Sequence, residues 1–161
     1  MLEMRDEKLE AVVGRMLAAA GLTIGLAESC TGGLLCSRVT DVPGSSTYLI
    51  GSAVTYSNKA KERLLGVRSQ TLMTFGAVSA ETALEMARGA RRIFDADVGL
   101  GVTGIAGPGG AMPGKPVGLV YIALSACDGE LCEQHIWKGD RLENKSLSAD
   151  AALRLIQNYL Q

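Results

Sequence analysis

Thr23-Ile24-Gly25-Leu26-Ala27-Glu28-Ser29-Cys30-Thr31-Gly32-Gly33 decides how the chain is read. Thr23 to Ala27 is a short apolar run; a carboxylate, a hydroxyl and a thiol follow, and two glycines then release the chain into a new element. A buried strand followed by a turn has this form. Upstream, Leu9, Val12, Val13, Met16, Leu17 and Ala20 recur at helical spacing and Gly21 follows as a stop, which predicts a helix over Arg5 to Ala20. Downstream, Thr31 to Val39 reads as a second helix, ended by the turn Val42-Pro43-Gly44-Ser45, and Gly51 to Tyr56 returns to strand.

The alternation continues to the C-terminus. Asn58 is placed to cap a short helix that Gly66 stops, and Ser79 to cap another whose Ala83, Ala87, Ala90 and Phe94 share one face. Val98 to Val102, bounded by Asp97 and Gly104, has the composition of a central strand. Leu119 to Leu124 and Leu131 to Trp137 flank the turn Cys127-Asp128-Gly129-Glu130 and pair as a hairpin, and a last helix runs from Leu142 to Tyr159. The expected fold is α/β: a three-layer α/β/α sandwich with a mixed, mostly parallel sheet and a late antiparallel hairpin. Ligands of such sheets sit at the carboxyl ends of strands, which draws attention to Glu28-Ser29, Tyr56 and Thr103-Gly104.

Composition bounds the function. The 161 residues suit one domain spanning 1–161, and 16 Lys and Arg against 17 Asp and Glu leave no bulk positive field for nucleic acid or anionic membrane. The run Arg88, Arg91, Arg92 reads as a solvated helix face. Met1 to Glu10 lacks the apolar core of a signal peptide, and Met16 to Ala27 is too short to span a bilayer. Cys30, Cys36, Cys127 and Cys132 match no CxxC metal spacing and read as reduced thiols of a cytoplasmic protein. A single histidine, His135, excludes sites that need two imidazoles from one chain, and no metal or organic cofactor is expected.

Two nucleotide motifs fail on context. Gly99-Leu100-Gly101-Val102-Thr103-Gly104 satisfies G-x-G-x-x-G but lies inside an apolar strand, where it signals close backbone packing. Gly109 to Lys115 fits G-x-x-x-x-G-K, yet Pro116 stands where a hydroxyl belongs and a strand follows instead of a helix. The surrounding segment Gly104 to Gly118 holds six glycines and three prolines. Such a loop is either a stiff connector or a ligand cradle, with Thr103 and Lys115 at its flanks.

Ala27 to Gly33 has the anatomy of a nucleophile site: a strand end, a hydroxyl, and amides of a helix beginning near Thr31 that could hold an oxyanion. Alternatively, Ser29 only caps that helix. A serine needs a base. His135 lies amid a hairpin strand, whereas Lys59 and Lys61 follow Tyr56. Lys61 shares a helical face with Leu64 and Leu65, and Lys59 with Glu62 and Arg63, so Lys61 points inward. Burial, with the neighbouring cation Lys59, would lower the pKa of Lys61. The plain alternative is a lysine stem lying along an apolar edge, with Tyr56 a half-buried strand aromatic.

Ala27-Glu28-Ser29-Cys30-Thr31-Gly32-Gly33, Val42-Pro43-Gly44-Ser45-Ser46, Tyr56-Ser57-Asn58 with Lys61, Gly76-Ala77-Val78-Ser79, Thr103-Gly104-Ile105-Ala106-Gly107-Pro108-Gly109-Gly110 and Lys115-Pro116-Val117-Gly118 together resemble the CinA C-terminal family, in order from about Leu9 to Leu160. That family contains nicotinamide mononucleotide deamidases. The resemblance implies hydrolysis of the nucleotide's carboxamide to nicotinic acid mononucleotide and ammonia, a step of pyridine nucleotide salvage. It assigns Ser29, Tyr56 and Lys61 catalytic roles and places Glu28, Thr31, Gly32, Gly33, Ser46, Asn58, Thr103, Gly104, Ala106, Gly107 and Arg141 about the substrate. It also implies a homodimer or larger homo-oligomer, and a stand-alone form without the N-terminal domain that many members carry. Lys145 stands where relatives often have a second arginine, Lys59 where they often have an acid, and Ala111-Met112-Pro113-Gly114 is less polar than usual. Two rival readings remain: a thiol amidase using Cys30, favoured if a nearby helix N-terminus stabilises its thiolate, and a catalytically silent nucleotide-binding module.

Overall fold

The computed structural model describes residues 7–161; Arg5 and Asp6, with which the first helix was expected to open, lie outside them. In chain order the elements are α1 (Leu9–Ala20), β1 (Ile24–Glu28), α2 (Leu34–Thr40), a 3-10 turn (Ser45–Thr47), β2 (Leu49–Val54), α3 (Asn58–Leu65), α4 (Ser69–Phe75), α5 (Ala80–Ile93), β3 (Val98–Gly104), β4 (Leu119–Ala126), β5 (Gly129–Ile136) and α6 (Arg141–Tyr159). The sheet order is β2-β1-β3-β4-β5. β1 runs parallel to both β2 and β3, and β4 is antiparallel to β3 and to β5. The sheet is therefore mixed as expected: β4 alone runs against the other strands, although only the β2-β1 and β1-β3 pairings are parallel.

Layering follows from which side chains the strands present. Leu26, Leu100 and Ile122 meet Leu17 of α1, Leu35 of α2 and Leu153 of α6 in one core. On the opposite face Ala27 meets Leu65 of α3, Leu72 of α4 and Met86 of α5. β1 is buried along its whole length, which explains its continuous apolar run. The glycines of the G-x-G-x-x-G stretch let α5 lie flush on β3, since a Cβ on Gly99 would stand 2.0 Å from the Ala87 carbonyl oxygen and one on Gly101 2.5 Å from that of Ala83. Gly109 to Lys115 leads toward β4 and no helix follows it, in keeping with rejection of a phosphate loop.

Several local expectations need correction. α2 opens at Leu34, three residues later than expected, because Gly32 (φ 61°) and Gly33 (φ 99°) are left-handed and hold the chain in a turn. Ser57, and not Asn58, caps α3: its hydroxyl accepts from the Ala60 N–H, and Asn58 is the first helical residue. α4 went unforeseen, for only Thr71 and Leu72 of its seven residues are buried. The arginine run is not simply solvated, since Arg88 forms a forked ion pair with Glu130 and Arg92 donates to the Leu65 carbonyl. All four cysteines are free thiols.

Candidate active site

The site begins where β1 stops. The Ser29 N–H still donates to the Val102 carbonyl (3.0 Å), and the Gly32 N–H folds back onto the Ser29 carbonyl (3.1 Å), so the serine stands on a tight turn just past the sheet. Strand alternation turns the preceding side chain the other way. The Glu28 carboxylate is fully buried and accepts from the Leu35 and Cys36 N–H groups (3.0 and 3.1 Å) and from the Ser52 hydroxyl (3.3 Å). A carboxylate at a helix N-terminus satisfies donors that would otherwise be orphaned. Glu28 thus fixes the start of α2, and the α2 amides expected to hold an oxyanion are already occupied.

β2 and α3 bring the base. Ser57 starts α3 immediately beyond the sheet, and Lys61, one turn in, folds back to the Ser29 turn. Lys61 is 1% exposed, as is Leu65, while Leu64 on the expected inward face is 53% exposed. Lys61 Nζ lies 3.0 Å from Ser29 Oγ and donates to the Thr55 and Tyr56 carbonyls at 2.8 and 3.4 Å. Carbonyl oxygens only accept, so they take two N–H bonds and leave the third direction of the nitrogen facing the serine. Among the described residues, no carboxylate hydrogen-bonds Nζ. Burial therefore dominates and pushes Lys61 down to about 8, with no part played by Lys59, which is exposed.

A cleft of about 210 Å³ opens over this pair, its floor formed by Ser29, Cys30 and Lys61 and its walls by Tyr56, Ala77, Val78, Thr103, Gly104, Ala106 and Arg141. The Thr103 hydroxyl donates to the Ala77 carbonyl (2.8 Å) and fixes that wall. Arg141, in the first turn of α6, donates to the Gly107 carbonyl (2.7 Å) and to the Tyr56 hydroxyl (3.1 Å), tying the glycine-rich loop to the opposite rim. A second hollow of about 440 Å³ shares Ala106 and Arg141 and extends over Pro108, Val117 and Leu142. The glycine-rich loop is therefore a wall of the cleft.

Seven of the anticipated site residues line this cleft: Ser29, Tyr56, Lys61, Thr103, Gly104, Ala106 and Arg141. The others do not. Thr31 is fully buried, Gly32 and Gly33 shape the turn, and Gly107 contributes the carbonyl that Arg141 holds. Asn58 is exposed at the start of α3. Ser46 lies at the wrong end of the sheet: Leu49, just after it, pairs with Ile24, whereas Val54 pairs with Glu28. Ala77 and Val78 were missed as wall residues, although the quoted Gly76-Ala77-Val78-Ser79 motif contained them.

Tyr56 is 64% exposed; its hydroxyl is held by Arg141, and its carbonyl, not its hydroxyl, meets Lys61. Burial pushes the Cys30 thiol up to about 12, opposite to the thiolate that a helix N-terminus would favour. His135 stacks on Trp137 at a centroid distance of 4.6 Å, lies 3.0 Å from Glu133, and takes no part in the cleft. Among the described residues, no cluster of three or more His, Cys, Asp or Glu is placed to hold a metal ion, and no helix is long and apolar enough to cross a membrane.

Fold and site define a class: an α/β sandwich whose parallel strands deliver a serine, and whose following helix delivers a buried lysine, to one cleft at the strand ends. Known proteins share this architecture. The sequence profile of the CinA C-terminal domain matches residues 6–160, and the chain belongs to that family. A competence-damage inducible protein of Desulforamulus reducens is 52% identical over 156 residues, covering 97% of this chain and 38% of the relative, and a CinA-like protein of Geobacter metallireducens is 49% identical over 154 residues. The chain thus spans under two-fifths of the length of these curated relatives. Among solved structures, the competence/damage inducible protein CihA of Agrobacterium tumefaciens superposes with a TM-score of 0.90 at 40% identity, covering 96% of this chain and 98% of that one. A CinA superfamily protein of Klebsiella pneumoniae gives 0.92 at 30% identity, covering 94% and 95%.

Proposed function

We propose that this chain is an amidohydrolase that converts nicotinamide mononucleotide and water into nicotinic acid mononucleotide and ammonia. The observation that carries the reading is Lys61 Nζ, buried and 3.0 Å from Ser29 Oγ. An amine brought down to about 8 is uncharged in a useful fraction near neutral pH, and beside a hydroxyl it is a general base with its nucleophile. Resemblance to the deamidases supplies the nucleotide, and the cleft with its larger neighbouring hollow leaves room for the ring and what is attached to it.

In the first half-reaction neutral Lys61 takes the Ser29 proton as Oγ bonds to the amide carbon. The turn amides of Cys30 and Thr31, which make no backbone hydrogen bond among the described residues, are the donors left for the oxyanion. Lys61 returns the proton to the departing nitrogen, the C–N bond breaks, and ammonia leaves an acyl-serine. Water then attacks the ester with Lys61 again as base, and the carboxylic acid and Ser29 are released. Tyr56 and Arg141 frame the mouth, where the guanidinium suits an anionic substrate.

Ammonia release from nicotinamide mononucleotide by the purified chain tests the proposal. The rate is expected to rise with pH through about 8 as one proton is lost, because the base acts in its uncharged form. Nucleotide binding without ammonia at any pH would show the silent module instead. A buried thiol at about 12 speaks against the Cys30 route.

A further inference from the structure

Between Ile105 and Met112 the glycine-rich loop runs along the cleft without backbone support. Ile105 is pinned on both sides, its N–H donating to the Leu119 carbonyl (2.8 Å) and its carbonyl accepting from the Gly118 N–H (2.8 Å), while Met112 and Lys115 bond to each other. Among the described residues, residues 106–111 make no backbone-to-backbone hydrogen bond. Two side chains at the start of α6 hold that stretch instead. Arg141 donates to the Gly107 carbonyl (2.7 Å), and Asn144, three residues on and so on the same helical face, donates from Nδ2 to the Ala106 carbonyl (3.0 Å).

The two holds differ in kind. Arg141 is exposed, so water can replace its bonds at small cost. Asn144 is 1% exposed, and its partners set the orientation of its amide: the Ala106 carbonyl can only accept, and the Gly139 N–H, 3.0 Å from Oδ1, can only donate. The inward face of α6 is apolar from Ala149 on, through Ala152, Leu153 and Ile156, yet it opens on Asn144 and Ser148. Ser148 is accounted for without the loop, since it donates to the Asn144 backbone carbonyl (2.7 Å) and accepts from the Trp137 indole N–H (3.0 Å). Only the Asn144 side chain reaches the cleft wall. Burying an amide costs free energy that a leucine would not, and what the amide adds is a fixed separation between Gly139 and Ala106.

We propose that Asn144 is a positioning residue: by joining Ala106 to Gly139 it sets the width of the cleft over Ser29 and Lys61. It keeps that wall in place when Arg141 exchanges Gly107 and Tyr56 for an anionic substrate. Ala106 borders both the cleft and the larger hollow beside it, so a shift of this wall alters both. Asn144 hydrogen-bonds neither Ser29 nor Lys61, so its loss weakens binding and leaves the reacting pair intact. The effect on turnover rests on the proposed deamidation; the latch on the loop does not.

Amide exchange of the intact chain, resolved by NMR, tests the latch, and steady-state kinetics with nicotinamide mononucleotide test its consequence. In Asn144→Leu, close in volume, the Ile105 and Gly118 amides that close the stem of the loop are expected to exchange at least about tenfold faster than in the parent, with the Leu26 amide of β1 unchanged. KM is expected to rise about tenfold or more while kcat stays within about threefold. Ser148→Ala disturbs the same helix face without touching the loop and is expected to match the parent within about twofold in both measurements. Stem amides exchanging as in the parent, an equal effect from Ser148→Ala, or a fall in kcat at unchanged KM would each overturn the proposal. If Asn144→Leu does not fold, Asn144→Asp decides, because an ionised carboxylate still accepts from Gly139 and loses only the donor to Ala106. If the parent releases no ammonia, the proposed reaction fails and stem exchange alone decides the latch.

Discussion

Lys61→Met is expected to reduce ammonia release from nicotinamide mononucleotide on the order of a thousandfold or more, because among the described residues no other side chain hydrogen-bonds Ser29. Methionine fills a similar volume, so the fold should persist. It should also change how stability depends on pH. The amine titrates at about 8 when folded and 10.5 ordinarily, so between those values the unfolded chain holds the extra proton. Stability of the parent should therefore climb as pH rises from 8 toward 10.5, recovering a deficit of about 3 kcal/mol that is fully present at lower pH. Urea denaturation of parent and variant at pH 7.5 and 10 checks this. The parent should gain stability relative to the variant at the higher pH. A variant that retains half the parent's turnover would remove Lys61 from the chemistry.

Ser29→Ala is expected to lower turnover about ten-thousandfold, more than any other single change, since no covalent intermediate can then form. The serine is small and its backbone N–H still holds Val102, so thermal unfolding should shift little. Mass spectrometry of the parent protein, rapidly quenched during turnover, should show the nicotinoyl nucleotide bound to the peptide that contains Ser29. A loss confined to Cys30→Ala, with Ser29→Ala fully active, would transfer the nucleophile to the thiol despite its burial.

Much of the pairing of Ser29 with Lys61 was legible from local pattern. A strand end followed by a hydroxyl and two glycines pointed to Ser29, and i+4 spacing to Leu65 separated Lys61 from Lys59 even though Leu64 proved exposed. Strand alternation already held the reason why Glu28 and Ser29 part company, but only the packing of α2 shows what the carboxylate does. Other errors lay beyond any local pattern. Ser46 was displaced by the register between β1 and β2, a property of two segments far apart in sequence. The elevated Cys30 thiol follows from core burial, which its position near α2 could not reveal. Arg141 was nameable, yet its role as a tie between Gly107 and Tyr56 exists only once three distant segments meet.

The glycine-rich loop illustrates the same division. Its composition marked a segment free to take unusual backbone conformations, and Gly107 and Gly110 are indeed left-handed. Composition did not say which wall it would form. That depends on the Gly118 N–H returning to the Ile105 carbonyl and on the Met112–Lys115 bridge, which fold the loop beside the cleft instead of away from it.

The central claim is that one amine readily gives up its proton near neutral pH beside one hydroxyl, and a nitrogen-detected NMR titration of the Lys61 side chain addresses it most directly, with Lys61→Met assigning the signal. The midpoint is expected near 8. A midpoint at or above 10.5, the ordinary value for lysine, would show a permanently charged ammonium at Ser29 and contradict the mechanism.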